Sequence, residues 1–323
     1  MRDKVFRATW FKCLLIIGFL AFSSYGAIRL YFQVTDGFSI ANISSDFAYQ
    51  PDWEVRPLST LEKVEVDQAL NQEYRYLGKG CQSYVFLSSD GHYVVKFFKY
   101  QRFRLQPWIA FLPGFDFVEN YRQAKLKKKW EKLNVFVTSW KIAYDHLKTE
   151  AGLLWVHLNK TEDLHKRLVI YDKMGFKHIL ELDQMEFCLQ RRAEPLNSVL
   201  VAYKAEGQLA QAQQLMSNLL QLMLSEYQRG LSDNDHALLQ NTGVVNHHPI
   251  HIDVGQFLQN EKFKDPAFYR QDLFTRTYRL HEWLKQNYPE LGAYLWVQLR
   301  EVIGPEVETM QPRFHSHWAL PGV

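Results

Sequence analysis

The run Leu77-Gly78-Lys79-Gly80-Cys81-Gln82-Ser83-Tyr84-Val85-Phe86, followed by Val94-Val95-Lys96, decides the fold of this chain. The segments YRYLGKG, SYVFLSS and HYVVKFFK between positions 74 and 99 are rich in aromatic and β-branched residues, and Asp90-Gly91 between the last two is a turn signal, so three strands in hairpin succession are expected. Two glycines at a strand-to-strand turn let a backbone approach a phosphate without a Cβ clash. A lysine on a following apolar strand can reach the same phosphates as a point charge, and burying it without an anionic partner is costly.

Downstream, residues 119–133 and 138–158 read as helices, the second on the stripe Leu147, Ala151, Leu154 and Leu158. Strands are expected around Leu168–Tyr171, Phe187–Gln190 and Ile250–Asp253, with a long helix over Leu209–Tyr227 and closing helices over 266–287 and 290–303. This order predicts an α+β chain of two lobes, sheet-rich first and helical second. The boundaries expected are 1–32 for an anchor or signal segment, 33–72 for a linker, 73–192 for the first lobe with an insert at 100–135, and 193–323 for the helical lobe.

A second constellation runs Gly230-Leu231-Ser232-Asp233-Asn234-Asp235-His236, reaches Gln240-Asn241, and is followed by Ile252-Asp253-Val254-Gly255. Phosphoryl transfer needs a carboxylate near the nucleophile and oxygen ligands for Mg²⁺. Asp235 suits the first role, and Asn241 and Asp253 the second.

Together these motifs resemble those of the protein-kinase-like superfamily over roughly residues 73–300: a glycine-rich loop, a strand lysine, a catalytic loop and a metal-binding segment, in that order. The resemblance implies an ATP cleft between the lobes, with Gln190 to Glu194 as hinge. It implies that Gly78, Gly80, Ser83 and Lys96 hold the nucleotide. A helix carboxylate is expected to pair with Lys96; Glu150 is the first candidate and Glu131 the reserve. The sequence also departs from the family. Ser83 replaces the third glycine and DVG replaces DFG. No His-Arg pair precedes Asp235, and Asn241 lies six positions after it rather than five, so the catalytic register stays open between Asp233 and Asp235. The interval from Lys96 to Glu150 is longer than such folds need, which implies an insertion. No APE-like segment follows Asp253, which brings the chain nearer to the compact kinases that phosphorylate sugars, lipids or antibiotics.

At the N-terminus, Arg2, Lys4, Arg7 and Lys12 precede an uncharged run of 16 residues, Cys13–Ile28. With snorkelling flanks it reads as a membrane anchor; with Ser24 and Gly26 as small residues it reads as a cleavable signal peptide. The positive-inside rule places residues 1–12 in the cytoplasm and the C-terminal bulk across the membrane.

The chain has 323 residues, 47% hydrophobic and 23% charged, which excludes wholesale disorder. The charge balance of 38 Lys and Arg against 35 Asp and Glu argues against a nucleic-acid partner. Three cysteines, at 13, 81 and 188, make no disulfide scaffold. His247, His248 and His251 read as a loop and strand start rather than as a metal site. The expected partners are a membrane, a nucleotide and a phosphate acceptor. The function read from the sequence is a membrane-anchored kinase-like protein binding ATP and Mg²⁺. A catalytically inactive pseudokinase or a membrane-tethered scaffold is the alternative.

Overall fold

In a computed structural model, residues 2–314 are described; the described side chains begin at Leu15, so the basic flank Arg2, Lys4, Arg7 and Lys12 lies outside them. Helix α1 (Arg2–Thr35) opens the chain. Its stretch Leu15–Thr35, 21 residues with none buried inside the fold, is long and apolar enough to cross a membrane, a description that a signal sequence near an N-terminus also meets.

Residues 33–72 are folded rather than a free linker. They contain α2 (Ile40–Ile43) and α3 (Thr60–Leu70), and they bury Phe38, Ile43, Trp53, Val66 and Leu70. Helix α3 starts at a capping box in which the Ser59 side chain and Glu62 each satisfy the other's backbone amide.

The sheet-rich part comprises β1 (Glu73–Lys79), β2 (Ser83–Ser88), β3 (Tyr93–Phe98), α4 (Pro107–Ala110), α5 (Asp116–His146), β4 (Leu153–His157), β5 (Arg167–Tyr171), β6 (Lys177–Glu181) and β7 (Phe187–Arg191). Its seven strands run in the order β4-β7-β3-β2-β1-β5-β6. Pairing is antiparallel except between β1 and β5. The β2–β3 turn forms where expected: Asp90 Oδ1 accepts from Ser88 Oγ at 2.6 Å and from the His92 amide at 2.9 Å, and Gly91 takes φ +76°. The β5–β6 hairpin, inserted between β4 and β7, crosses over to extend the β1 edge.

One helix, α5, replaces the two expected. The chain then turns through Gly152, at φ +57°, into β4, which pairs with β7. Leu147, Ala151, Leu154 and Leu158 are all buried, as the stripe required, but the last two flank or sit in a strand. Both faces of β4 are covered, so its run of apolar residues matches either period.

The helical part follows with β8 (Glu194–Pro195), α6 (Leu196–Ala205), α7 (Leu209–Gln228), β9 (Leu231–Asp233), α8 (Leu238–Asn241), β10 (Thr242–Val245), β11 (His248–His251), β12 (Phe257–Gln259), α9 (Pro266–Asn287) and α10 (Pro289–Ile303). Its core packs Leu215, Leu219 and Met223 of α7 against Leu273, Leu280 and Leu295 of α9 and α10. Two short sheets, β11-β10-β8 and β12-β9, complete it. Gly243 in β10 lies against the connection between the two parts: a Cβ there would come within 2.6 Å of Ala193 Cβ and 2.7 Å of Ile252 Cγ2. Only glycine lets the helical part close onto residues 190–194.

Candidate nucleotide and phosphoryl-transfer site

Lys96 stands in the middle of β3, paired with Val85 on β2 and Cys188 on β7. Its side chain is buried and its Nζ donates to the Ile252 carbonyl. Burial lowers the lysine pKa, and the nearby Cys188 and Asp253 oppose that shift.

The turn Ile252–Gly255 is where the parts of the site meet. The Asn241 carbonyl accepts from the Ile252 amide at 2.8 Å and the Asp253 amide at 3.4 Å. Asp253 Oδ1 accepts from the Gly255 amide at 3.1 Å. The Val254 carbonyl accepts from Ser139 Oγ of α5 at 2.5 Å. Gln82 of the glycine-rich loop lies directly on Gly255: a Cβ there would fall 1.9 Å from Gln82 Oε1. Thus β3, α5, the loop and the segment ending at Asn241 all converge on four residues. Burial raises the Asp253 carboxyl pKa, and Lys96 opposes it.

Within the loop, the Gly80 amide donates to the Ser83 carbonyl at 3.0 Å. A Cβ at Gly78 would meet nothing within 4 Å, and one at Gly80 only Ser83 Oγ at 4.0 Å. The fold itself therefore does not require glycine at either position, and space beside them is open. Ser83 is buried and paired with Phe98, so it serves the sheet.

Two cations under the loop escaped the sequence reading. Lys99 Nζ donates to the Gly80 carbonyl at 2.5 Å and lies 4.4 Å from the Tyr84 ring centroid; burial, with Lys79 and Arg102 nearby, lowers its pKa to about 8. Arg102 donates to the Cys81 carbonyl. Their signal was the spacing of three positions through Lys96, Lys99 and Arg102.

Asp233 and Asp235 occupy different surroundings. Asp233 ends β9, is buried, and has its carboxyl raised to about 7 by burial against the pull of Arg276. Its Oδ1 accepts from the Asp235 amide at 3.0 Å. Asp235 is half-buried; its oxygens accept from the Ala237 amide at 3.0 Å and Gln256 Nε2 at 3.1 Å. Beneath them Asp272 of α9 accepts from Ser232 Oγ at 2.6 Å and Tyr227 OH at 2.8 Å, anchoring the loop from below.

Glu150 is not brought to Lys96. It sits in the turn before β4, pairs with Arg229 at 2.9 Å, and its carbonyl accepts from the His251 amide. The helix expected to present it ends at His146. Glu131, the reserve, is exposed on α5. Where α5 passes Lys96 it presents Trp140, whose ring centroid is 6.0 Å from Nζ. Gln190 lies between the two parts, its Nε2 donating to the carbonyls of Ala151 at 2.5 Å and His251 at 2.8 Å. His251 pairs with Glu226 and His247 with Tyr203 OH, and among the described residues no three His, Cys, Asp or Glu side chains form a metal-holding group.

Neither a protein-family model nor a curated protein matches the chain. Among solved structures it is similar to WbdD, a bifunctional kinase-methyltransferase, at 14% identity and TM-score 0.36 over 75% of this chain and 48% of that one. It is also similar to the Rv3197–erythromycin complex from Mycobacterium tuberculosis, at 11% identity and TM-score 0.31 over 88% and 75% of the two chains. The ternary complex of streptomycin, ATP and APH(2")-IIa overlaps at 12% identity and TM-score 0.25, over 79% and 87%. The chain spans about half the length of WbdD. The chain's own geometry brings together a glycine-rich β1–β2 hairpin, a β3 lysine, a β3–β4 helix, and an Asp-containing turn over a helical part.

Proposed function

We propose that the chain is a membrane-anchored kinase-like protein that binds ATP with Mg²⁺ between its two parts and transfers the terminal phosphoryl group to a hydroxyl acceptor. The observation that carries this reading is the convergence of Lys96, Asn241, Gln82 and Ser139 on the turn that holds Asp253. Lys96 is the phosphate-binding cation in this reading. Gly78 and Gly80 give the triphosphate backbone access, and the open space beside them supports that role. Asn241 and Asp253 are hard oxygen donors of the kind Mg²⁺ takes, and Mg²⁺ needs only one or two carboxylates because it keeps several waters. Asp235, the less buried of the two loop aspartates, orients the acceptor hydroxyl.

A second reading, a pseudokinase that binds nucleotide without turnover, is favoured by one observation: α5 offers Lys96 the Trp140 ring where a phosphotransferase would offer a carboxylate. Phosphate transfer from labelled ATP by the full chain in detergent micelles separates the two. Water and panels of sugars, lipids and proteins serve as acceptors. The transferase reading expects labelled product or phosphate, reduced about 10²- to 10⁴-fold in Asp235→Asn and by much less in Asp233→Asn. Nucleotide binding with no transfer to any acceptor selects the pseudokinase, and the reverse order of the two variants moves the role to Asp233.

A further inference from the structure

We propose that the insert spanning residues 103–118 and the turn between β5 and β6 form a collar seated in the headgroup boundary of the bilayer that α1 spans. This rests on the reading of α1 as a membrane span.

The end of α1 is fixed to the sheet. The Gly37 carbonyl accepts from Tyr84 OH at 2.6 Å, and Asp36 pairs with Lys79 at 3.0 Å and Lys173 at 3.2 Å. Two apolar patches far apart in sequence are tied to this same exit. At the β5–β6 turn, Lys173 Nζ donates to the Gln33 carbonyl in the last turn of α1 at 2.9 Å. Met174 and Phe176 beside it are 52% and 60% exposed. On the insert, the Arg104 guanidinium donates to the Ala41 carbonyl at 2.8 Å and the Ser44 carbonyl at 2.6 Å, just beyond α1. There Trp108, Phe111, Phe115 and Phe117 are exposed, Phe111 to 87%.

The insert is a built element. Ile109 and Val118 are buried, and Arg122 donates to the carbonyls of Ile109 and Leu112 at 3.3 Å each. The fold thus turns two apolar residues inward and four aromatic ones outward, with Phe115 and Phe117 stacked on each other at 5.8 Å. Lys125, Lys127 and Lys128 follow, exposed along the first half of α5. Aromatic residues beside exposed lysines are the composition that suits a headgroup layer, where amphipathic rings sit at the acyl boundary and lysines meet anionic lipids. Lipid is the occupant because both patches are fastened to the point where an unburied apolar helix leaves the fold. Arg102, immediately before the insert, donates to the Cys81 carbonyl of the glycine-rich loop.

The test places the photoreactive residue p-benzoylphenylalanine singly at Phe111, Phe117 or Phe176 in the full chain, reconstituted into vesicles of zwitterionic and anionic phospholipid. Phe22 in α1 reports the anchor, and Leu61 on α3, 84% exposed, reports random adsorption. Lipid adducts at 22, 111, 117 and 176, and not at 61, are expected. Adducts at 22 alone overturn the collar and leave the anchor standing. Adducts of equal yield at 61 overturn it in favour of general adsorption. Protein adducts replacing lipid at 111 and 117 overturn it in favour of a protein partner or a second copy. No adduct at 22 overturns the anchor reading and the collar with it.

Discussion

Replacing Glu226 with alanine is expected to destabilise the protein by about 3–5 kcal/mol, the usual consequence of removing one partner from a buried ion pair. Glu226 of α7 is fully buried. One oxygen meets His251 Nε2, and the other lies 3.5 Å from Nη1 of Arg276, which is also fully buried. Against the upward push of burial, His251 and Arg276 hold the Glu226 carboxyl below its ordinary range. Alanine takes the paired carboxylate away from a guanidinium whose Nε and Nη2 already lack hydrogen-bond partners, so its desolvation is less well compensated, with Asp233, Asp272 and Tyr227 left to offset it. The effect reaches the site, because His251 precedes the Ile252–Gly255 turn and its carbonyl holds Gln190. Thermal unfolding in detergent micelles should show a melting temperature lower by roughly 6–20 °C. A variant that melts with the wild type would show that this buried network contributes nothing net.

Asp233 gives the second large effect, and its sign depends on pH. Burial raises its carboxyl from 3.8 to about 7, with Arg276 pulling the other way. Between those values the folded protein holds a proton that the unfolded chain has released. Its contribution is therefore fully present below about pH 4 and is lost as pH rises to about 7. The total is at most about 4 kcal/mol at 1.36 kcal/mol per unit. Asp233→Asn does not titrate, so its melting temperature should gain on the wild type steadily from pH 4 to pH 7 and stay higher at pH 8. Parallel pH profiles for the two proteins would contradict the assigned environment of Asp233.

Local chemistry made some of the architecture readable in advance. Asp90-Gly91 writes its turn in two residues, and α7, α9 and α10 carry one-sided apolar stripes that end at polar or proline positions. Strand β4 was hidden because both its faces are covered, which erases alternation. Within residues 33–72, Phe38, Ile43 and Trp53 enter the core singly and give no periodic signal, whereas α3 carried one in its Ser59–Glu62 capping box and its buried Val66, Ala69 and Leu70. The parallel seam between β1 and β5 joins residues about a hundred positions apart and follows from the crossover of the β5–β6 hairpin, which no local pattern encodes.

The site divides the same way. Lys96 and Asp253 stand out in the sequence as charged residues among apolar neighbours, Val94-Val95 and Phe97-Phe98 around the first and Ile252 and Val254 around the second. The group that Lys96 meets, the Ile252 carbonyl, is main chain and leaves no mark in a sequence. Searching for a carboxylate therefore led to Glu150, whose charge is used by Arg229 instead. The choice between Asp233 and Asp235 turns on burial, which the loop sequence does not carry.

Nucleotide binding by the full chain in micelles is read as a melting temperature with ATP, with and without Mg²⁺. Ligand at a hundredfold excess over its dissociation constant stabilises a folded protein by about 2.7 kcal/mol. A rise of that order is predicted for the wild type with ATP and Mg²⁺, and its loss in Lys96→Ala and in Asp253→Ala. A well-folded wild type whose melting temperature ATP leaves unmoved in both conditions would contradict the nucleotide site.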